Sequence, residues 1–346
     1  MHRLLRSLRK RLRRPASTPA VAAVAAPSTP PAAQLPGIPG ESTQLLCGRI
    51  AADQVRRLER IDSLADVEFR VFSQFGEDGI LEWLVHHVRP RHTSFVEFGV
   101  ENYTEANTRF LLLHRNWKGL VMDGSDDHMA HLRATPVHWR NDLTVRPAFV
   151  TAENIDRLLE ETGFAGPLGL MSIDVDGNDY WILQAIRDLS SDLLVVECNP
   201  VFGDRHAVTV PYDPGFERFR GHWSGLYFGA SIAAIRELAA RRGYTFLGTC
   251  SNGINAFFVH DRLRDRVADR IDRTIAWPAV HRDSRDRDHR LSFVRGRERF
   301  DLIADCRVHC CRTGGLVRLG DLDRPYSDEW LEAMALPGEL RGGRAA

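Results

Sequence analysis

No stretch of this chain approaches the 18 or so apolar residues that a membrane-spanning helix requires. No secretory leader is expected from the first residues either. The apolar candidate, Val21 to Ala26, is too short for the core of one, and Ala and Pro surround it. Cysteine is scarce, six in 346 residues, and Cys47, Cys198 and Cys250 stand far apart. Nothing in that spacing resembles a disulfide framework, so a reducing, cytoplasmic setting is expected. Cys306, His309, Cys310 and Cys311 crowd together but lack the paired C-x-x-C spacing of zinc sites, and buried or free thiols are the plainer expectation. Net charge is also absent: 46 basic and 46 acidic side chains cancel, which names no nucleic-acid partner. The G-x-G-x-x-G fingerprint of nicotinamide dehydrogenases does not occur.

What is present is an ordinary globular composition, 43% hydrophobic and 27% charged, with an uneven layout. Residues 1–14 (MHRLLRSLRKRLRR) set Leu4, Leu5, Leu8 and Leu12 at helical spacing among Arg and Lys. Such a basic amphipathic segment either lies on an anionic membrane surface, here the inner face, or stays solvated. Residues 15–40, rich in Ala, Pro, Ser and Thr, read as a disordered linker. A helical lead-in over 41–72 precedes SQFGEDG, Ser73 to Gly79, where Ser73 can cap the helix from about Glu77. Arg recurs between Arg262 and Arg299, and the final stretch, 263–346, reads as an appendage of unknown role.

Between them, over 73–262, strand-like and helix-like segments alternate, the pattern of a parallel sheet covered on both faces. The expected strands are 95–99, 119–123, 146–150, 168–174 and 193–198. The chain then closes on two apolar runs, 244–248 and 255–260, around the hairpin signal Asn252-Gly253. The fold class expected is therefore α/β: a three-layer, Rossmann-like, seven-stranded sheet, mostly parallel, with a terminal antiparallel hairpin.

Chemistry in such sheets gathers where strands end. The first strand, in SFVEFGVENYTEANT (Ser94 to Thr108), supplies Glu97, Gly99, Glu101 and Asn102. A glycine there lets the backbone approach a ligand, and an acid can hold an amino group. Glu97 could equally be a buried acid satisfied by backbone donors. Asp123, followed by Gly124, ends the second strand and can accept both hydroxyls of a ribose, or else cap the next helix. Thr151 opens the helix after the third strand as its cap, within reach of an adenine ring. Asp174, Asp176 and Asp179 crowd SIDVDGNDYW, and like charges so close need a cation, a substrate amine or a proton-transfer role. Asp174, Glu197 and Asn199 would meet at one edge, three oxygen donors suited to Mg²⁺. His222, Trp223 and Tyr227 lie on the same expected edge, as part of an acceptor pocket or as packing.

In order, SQFGEDG, FVEFGVEN, GLVMDG, SIDVDGNDYW, VVECNP, YFGAS and NAFFV resemble the FkbM-like methyltransferases over roughly Ser73 to Val259. These are class I S-adenosylmethionine-dependent enzymes, several of which O-methylate sugars. The resemblance implies Glu97, Gly99, Glu101, Asn102, Asp123, Gly124 and Thr151 around S-adenosylmethionine. It implies Asp174 or Asp176 as the group that activates the acceptor hydroxyl, with Mg²⁺ at Asp174, Glu197 and Asn199. The expected acceptor is a sugar hydroxyl of a glycan or small glycoside. The chain departs from the family where Val100, Glu101, Asn102 and Tyr103 replace further glycines, which narrows the space beside the cofactor's methionine part. That departure and the basic start leave a second reading, a non-catalytic binding or scaffold module of a surface-polysaccharide pathway.

Overall fold

Every strand in the central sheet is short, apolar and bounded by turn-forming residues, and parallel strands of that kind need cover on both faces. The computed structural model describes residues 40–279 and 283–335; the expected amphipathic segment at 1–14 and the linker up to residue 39 lie outside them. The strands are β1 (Ser94–Phe98), β2 (Lys118–Asp123), β3 (Leu143–Pro147), β4 (Leu168–Ile173), β5 (Ser191–Glu197), β6 (Val208–Thr209), β7 (Tyr244–Thr249) and β8 (Asn255–His260), with β9 (Arg307–Cys310) and β10 (Leu316–Arg318) near the end. Seven of them form one sheet in the order β3-β2-β1-β4-β5-β8-β7. β8 runs antiparallel to both its neighbours, while the pairs from β3 to β5 are parallel. This is the α/β sheet with its closing hairpin that the sequence pattern implies.

Alternation along the strands divides the core into two layers. Val96, Phe98, Leu120 and Met122 face one side with Ile155, Ile182 and Ile235. Phe95, Val121, Leu170 and Val195 face the other with Trp83, Leu84 and Leu112. Helices Glu77–Val88 and Arg109–Arg115 thus cover one face, and helices Ile155–Thr162, Asp179–Ala185 and Ile232–Arg241 the other. Among the described residues no helix is long and apolar enough to cross a membrane.

Two boundaries differ from expectation. β3 begins at Leu143, three residues before the expected Arg146, because Leu143 and Val145 are the side chains that reach the core. The chain leaves the sheet after Pro147, and Phe149 stands 50% exposed. Thr151 does not cap the next helix. That helix starts at Ile155, and the Thr151 N–H instead donates to Asn154 Oδ1 at 2.9 Å.

SQFGEDG turns out to be a folding device. One oxygen of buried Asp78 accepts the N–H groups of Val71, Phe72 and Ser73 at 2.7–2.8 Å. Glu77 Oε1 accepts Asn255 Nδ2 at 2.9 Å, tying the helix Glu77–Val88 to the start of β8. Ser73 Oγ accepts the Asp78 N–H, although the residue at the cap position is Gly76.

The C-terminal stretch joins the same packing. β9 pairs with β10 and with β6, the short strand in the insert after β5. Phe300, Ile303, Val308, Leu319 and Trp330 belong to the layer that includes Met171 and Leu194. Phe300→Ala is accordingly expected to cost about 3–5 kcal/mol, as truncations of buried aromatic side chains do. A urea midpoint unchanged by that substitution would show that the segment does not share the core.

Candidate active site

Because β1 to β5 run the same way, their carboxyl ends share one edge, where open α/β sheets bind ligands. A cleft of about 430 Å³ opens there, lined by Gly99 and Glu101 after β1, Asp123 to Ser125 after β2, and Phe149 after β3. Asp174, Val175, Asp176 and Asn178 after β4 complete it, with Phe216 and Glu217 from the insert as its outer wall. This size suits a small-molecule or cofactor site, for which about 300–1,000 Å³ is usual.

Asp123 is held for use. Oδ2 accepts the Glu101 N–H and Oδ1 the Ser125 N–H, both at 2.8 Å, which fixes the carboxylate at the cleft wall. Each oxygen retains a lone pair for a ligand hydroxyl. Ser125 Oγ caps the following helix by accepting the His128 N–H at 3.2 Å, so Asp123 is not needed as a cap.

Gly99 is required by packing. Its φ is +71°, and a Cβ on it would lie 1.7 Å from the Asp174 carbonyl oxygen. The glycine therefore brings the ends of β1 and β4 together, and only its outer side meets the cleft. The loop that follows replaces glycines without filling the site. Glu101 and Tyr103 adopt left-handed backbone (φ +46° and +61°), and Val100 and Tyr103 turn into the core. Glu101 lines the cleft, while Asn102 Oδ1 accepts the Thr104 N–H and lies outside it.

Several expected site residues do other work. Glu97 is buried beneath the edge, not in the cleft, on the face it shares with Phe95. Its oxygens accept the N–H groups of Asn107 (2.8 Å) and Thr108 (3.1 Å) and the Thr108 hydroxyl (2.5 Å). Burial pushes its carboxyl up to about 7 against those donors. Asn199 is held in place: Nδ2 donates to the carbonyls of Leu226 and Phe228, and Oδ1 accepts the Val201 N–H. Neither Asn199 nor Thr151 lines the cleft. The Tyr227 hydroxyl donates to the Arg307 carbonyl and His222 contacts Ser224, and neither residue is in the lining of the cleft.

The acids that do meet are Asp174, Asp176 and Glu197, whose oxygens come within 4.8 Å of one another. Asp176 adds a carboxylate to the expected pair of Asp174 and Glu197. Asp174 and Glu197 lie side by side, and burial followed by neighbouring negative charge drives both carboxyls well above the usual range. Glu197 Oε2 is buried without a partner. Asp179 is different: its oxygens accept the N–H groups of Val175 (2.8 Å) and Gly177 (3.1 Å), closing the loop that presents Asp174 and Asp176.

The counter-ion is Arg218, which no local pattern marks. Its guanidinium bonds Asp176 Oδ1 and Asp283 Oδ2, both at 2.9 Å, and the Gly225 carbonyl at 2.7 Å, and lies 3.9 Å over the Phe228 ring. It anchors the insert to the end of β4. Phe149, Phe216 and Glu217 were also not expected at the site. Phe149 could have been suspected from its place just past a strand, but Phe216 and Glu217 sit in an insert without periodicity.

No family model and no curated protein matches the chain. Solved structures are similar at a distance. An O-methyltransferase from Bacillus cereus in complex with SAH is 16% identical over 64% of this chain and 91% of that one, with a TM-score of 0.34. The N-terminal domain of EvdMO1 with SAH bound is 13% identical over 61% and 94%, with a TM-score of 0.36. An S-adenosylmethionine-dependent methyltransferase from Clostridium acetobutylicum is 11% identical over 53% and 90%, at 0.33. Likenesses this distant carry no weight of their own, and the strand order decides. The fold is a Rossmann-like α/β fold, a seven-stranded and mostly parallel sheet closed by an antiparallel hairpin.

The buried acids set a pH dependence. Burial raises Glu97 and Glu68 to about 7 and Asp78 to about 6, above their values in the unfolded chain. Below the unfolded values, 4.5 for the two glutamates and 3.8 for Asp78, both states hold these protons. Between there and pH 7 the unfolded state releases them first, so stability falls as pH rises. Urea midpoints are expected to drop from pH 5 to pH 7.5, with a shallower slope in Glu97→Gln; a slope equal to wild type would remove Glu97 from this account.

Proposed function

We propose that this chain is an S-adenosylmethionine-dependent O-methyltransferase of the FkbM-like kind, acting on a sugar hydroxyl of a glycan or small glycoside. The observation that carries the reading is a preorganised Asp123 on one wall of the cleft and the Asp174–Asp176–Glu197 cluster on another. The first suits a ribose diol and the second suits a hydroxyl that must lose its proton. S-adenosylmethionine, when bound, supplies a methyl group on a sulfonium sulfur. Asp123 would hold the ribose, Phe149 would offer an apolar face, and Gly99 and Glu101 would flank the remainder.

The protein's share is positioning and proton transfer. Asp174 lines the cleft, and in its ionised form it would take the proton from an acceptor hydroxyl. Glu197 beside it would help to hold that proton, since the pair disfavours two negative charges. The all-oxygen donor set and the unpartnered Glu197 Oε2 also fit Mg²⁺. A cation held by Asp174, Asp176 and Glu197 would lower the acceptor's pKa. The open cleft favours the catalytic reading over the scaffold reading, since the bulkier residues after Gly99 leave room for a ligand. A cytoplasmic setting, with peripheral membrane contact through residues 1–14, remains part of the proposal.

Calorimetry with S-adenosylmethionine is expected to show binding, weakened at least about tenfold in Asp123→Ala, or about 1.4 kcal/mol. Absence of heat at millimolar cofactor would overturn the reading. Mn²⁺ titration followed by electron paramagnetic resonance is expected to show one bound ion in wild type, lost in Glu197→Gln and retained in Asn199→Ala. Equal binding in wild type and Glu197→Gln would remove the cation from the site.

A further inference from the structure

A second cavity has no part in the chemistry above. It lies between the start of the insert and the C-terminal segment, spans about 20 Å³, and is lined by Pro200, Val201, Arg299, Tyr326 and Trp330 among others. Arg299, on the helix Gly296–Ile303, is 7% exposed. The acid near it, Asp283, stands 3.9 Å away and is already engaged by Arg218 at 2.9 Å. Arg299 Nε is buried with no hydrogen-bond partner, and so is Trp330 Nε1. The Tyr326 hydroxyl is directed elsewhere, donating to the Val201 carbonyl at 2.8 Å.

A buried guanidinium is costly unless it is paired and its donors are used. Here burial pulls the Arg299 pKa down, and two orphaned donors belong to residues that line one small space. We propose that this cavity is a binding site for a small monovalent anion of chloride size, held by the Arg299 guanidinium and the Trp330 indole N–H. Both orphaned groups are donors, so the missing partner is an acceptor, and Asp283, the acid beside Arg299, is shared with Arg218. A water would meet the donors but leave the Arg299 guanidinium with its long 3.9 Å contact to Asp283. The volume admits one water-sized or halide-sized species and has no room for a phosphate or a sugar acid. Bound there, the anion fastens the helices Gly296–Ile303 and Asp328–Ala335 against the chain that leaves β5.

The test uses the full chain in sodium bromide, sodium chloride or sodium gluconate at equal ionic strength. Halide is expected to stabilise saturably: at ten times its Kd it raises the folded-to-unfolded ratio about elevenfold, while gluconate does not. Arg299→Gln removes the halide effect, and Trp330→Phe weakens it. Should Arg299→Gln fail to fold, a bromide-soaked wild-type crystal supplies the second readout, an anomalous peak beside Arg299 and Trp330. Equal stability in all three salts, or a bromide peak without any halide stabilisation (an adventitious ion only), overturns the proposal.

Discussion

Negative charge buried at the carboxyl ends of parallel strands is the constraint around which this protein is built. A carboxylate taken out of water must be compensated by donors, a cation or a proton. Each buried acid here meets that demand differently. Asp78 is wrapped by three consecutive backbone donors, Glu97 by the start of the helix Arg109–Arg115, and Asp179 by the loop it closes. These carboxylates are consumed in making the architecture. Asp174 and Glu197 have each other, and Glu197 keeps an orphaned oxygen. Asp78 keeps one too, but Asp174 lines the cleft beside Asp176, and that placement is what gives the pair capacity for a ligand.

The backbone bears a related cost. Gly99, Glu101, Tyr103 and Asp176 all adopt positive φ, and all belong to the two loops that flank the cleft. For side-chain-bearing residues this is strain of about 1–3 kcal/mol each, tolerated where the surroundings over-determine it. The surroundings here are specific: the Glu101 N–H is fixed by Asp123, the Tyr103 hydroxyl by Thr108, and Asp176 by Arg218. The loop after β1 thereby does with ordinary residues what glycines do elsewhere, and its larger side chains go into the core.

Much of this architecture could be read from residue order. Apolar runs alternating with helical periodicity gave the sheet and its two covered faces, and Asn252-Gly253 gave the hairpin. The acids at strand ends were visible as acids, but their roles were not. Glu97 lies two residues from Phe95, and the strand's alternation turns both toward the same helical layer. Asn199 looked like a third ligand by proximity to Glu197, yet its amide is matched to two carbonyls about thirty residues away. Arg218 was invisible because its partners, Asp176 and Asp283, lie 42 and 65 residues distant in the chain. Contacts of that separation leave no local pattern.

Arg218 also explains why the last third of the chain is bound up with the site. Its side chain is 18% exposed and divides its charge between an acid of the cluster and an acid of the C-terminal segment. β6 and β9 join those same two parts by backbone pairing, and the Tyr227 hydroxyl adds a bond to the Arg307 carbonyl. Asp176 is solvent-exposed, but the Arg218 guanidinium is largely buried, and losing either acid would leave that charge less compensated. Asp176 therefore has its position from the insert, and the insert has its position from the C-terminal segment. The charge state of the Asp174–Asp176–Glu197 cluster and the docking of residues 283–335 are two ends of one electrostatic chain.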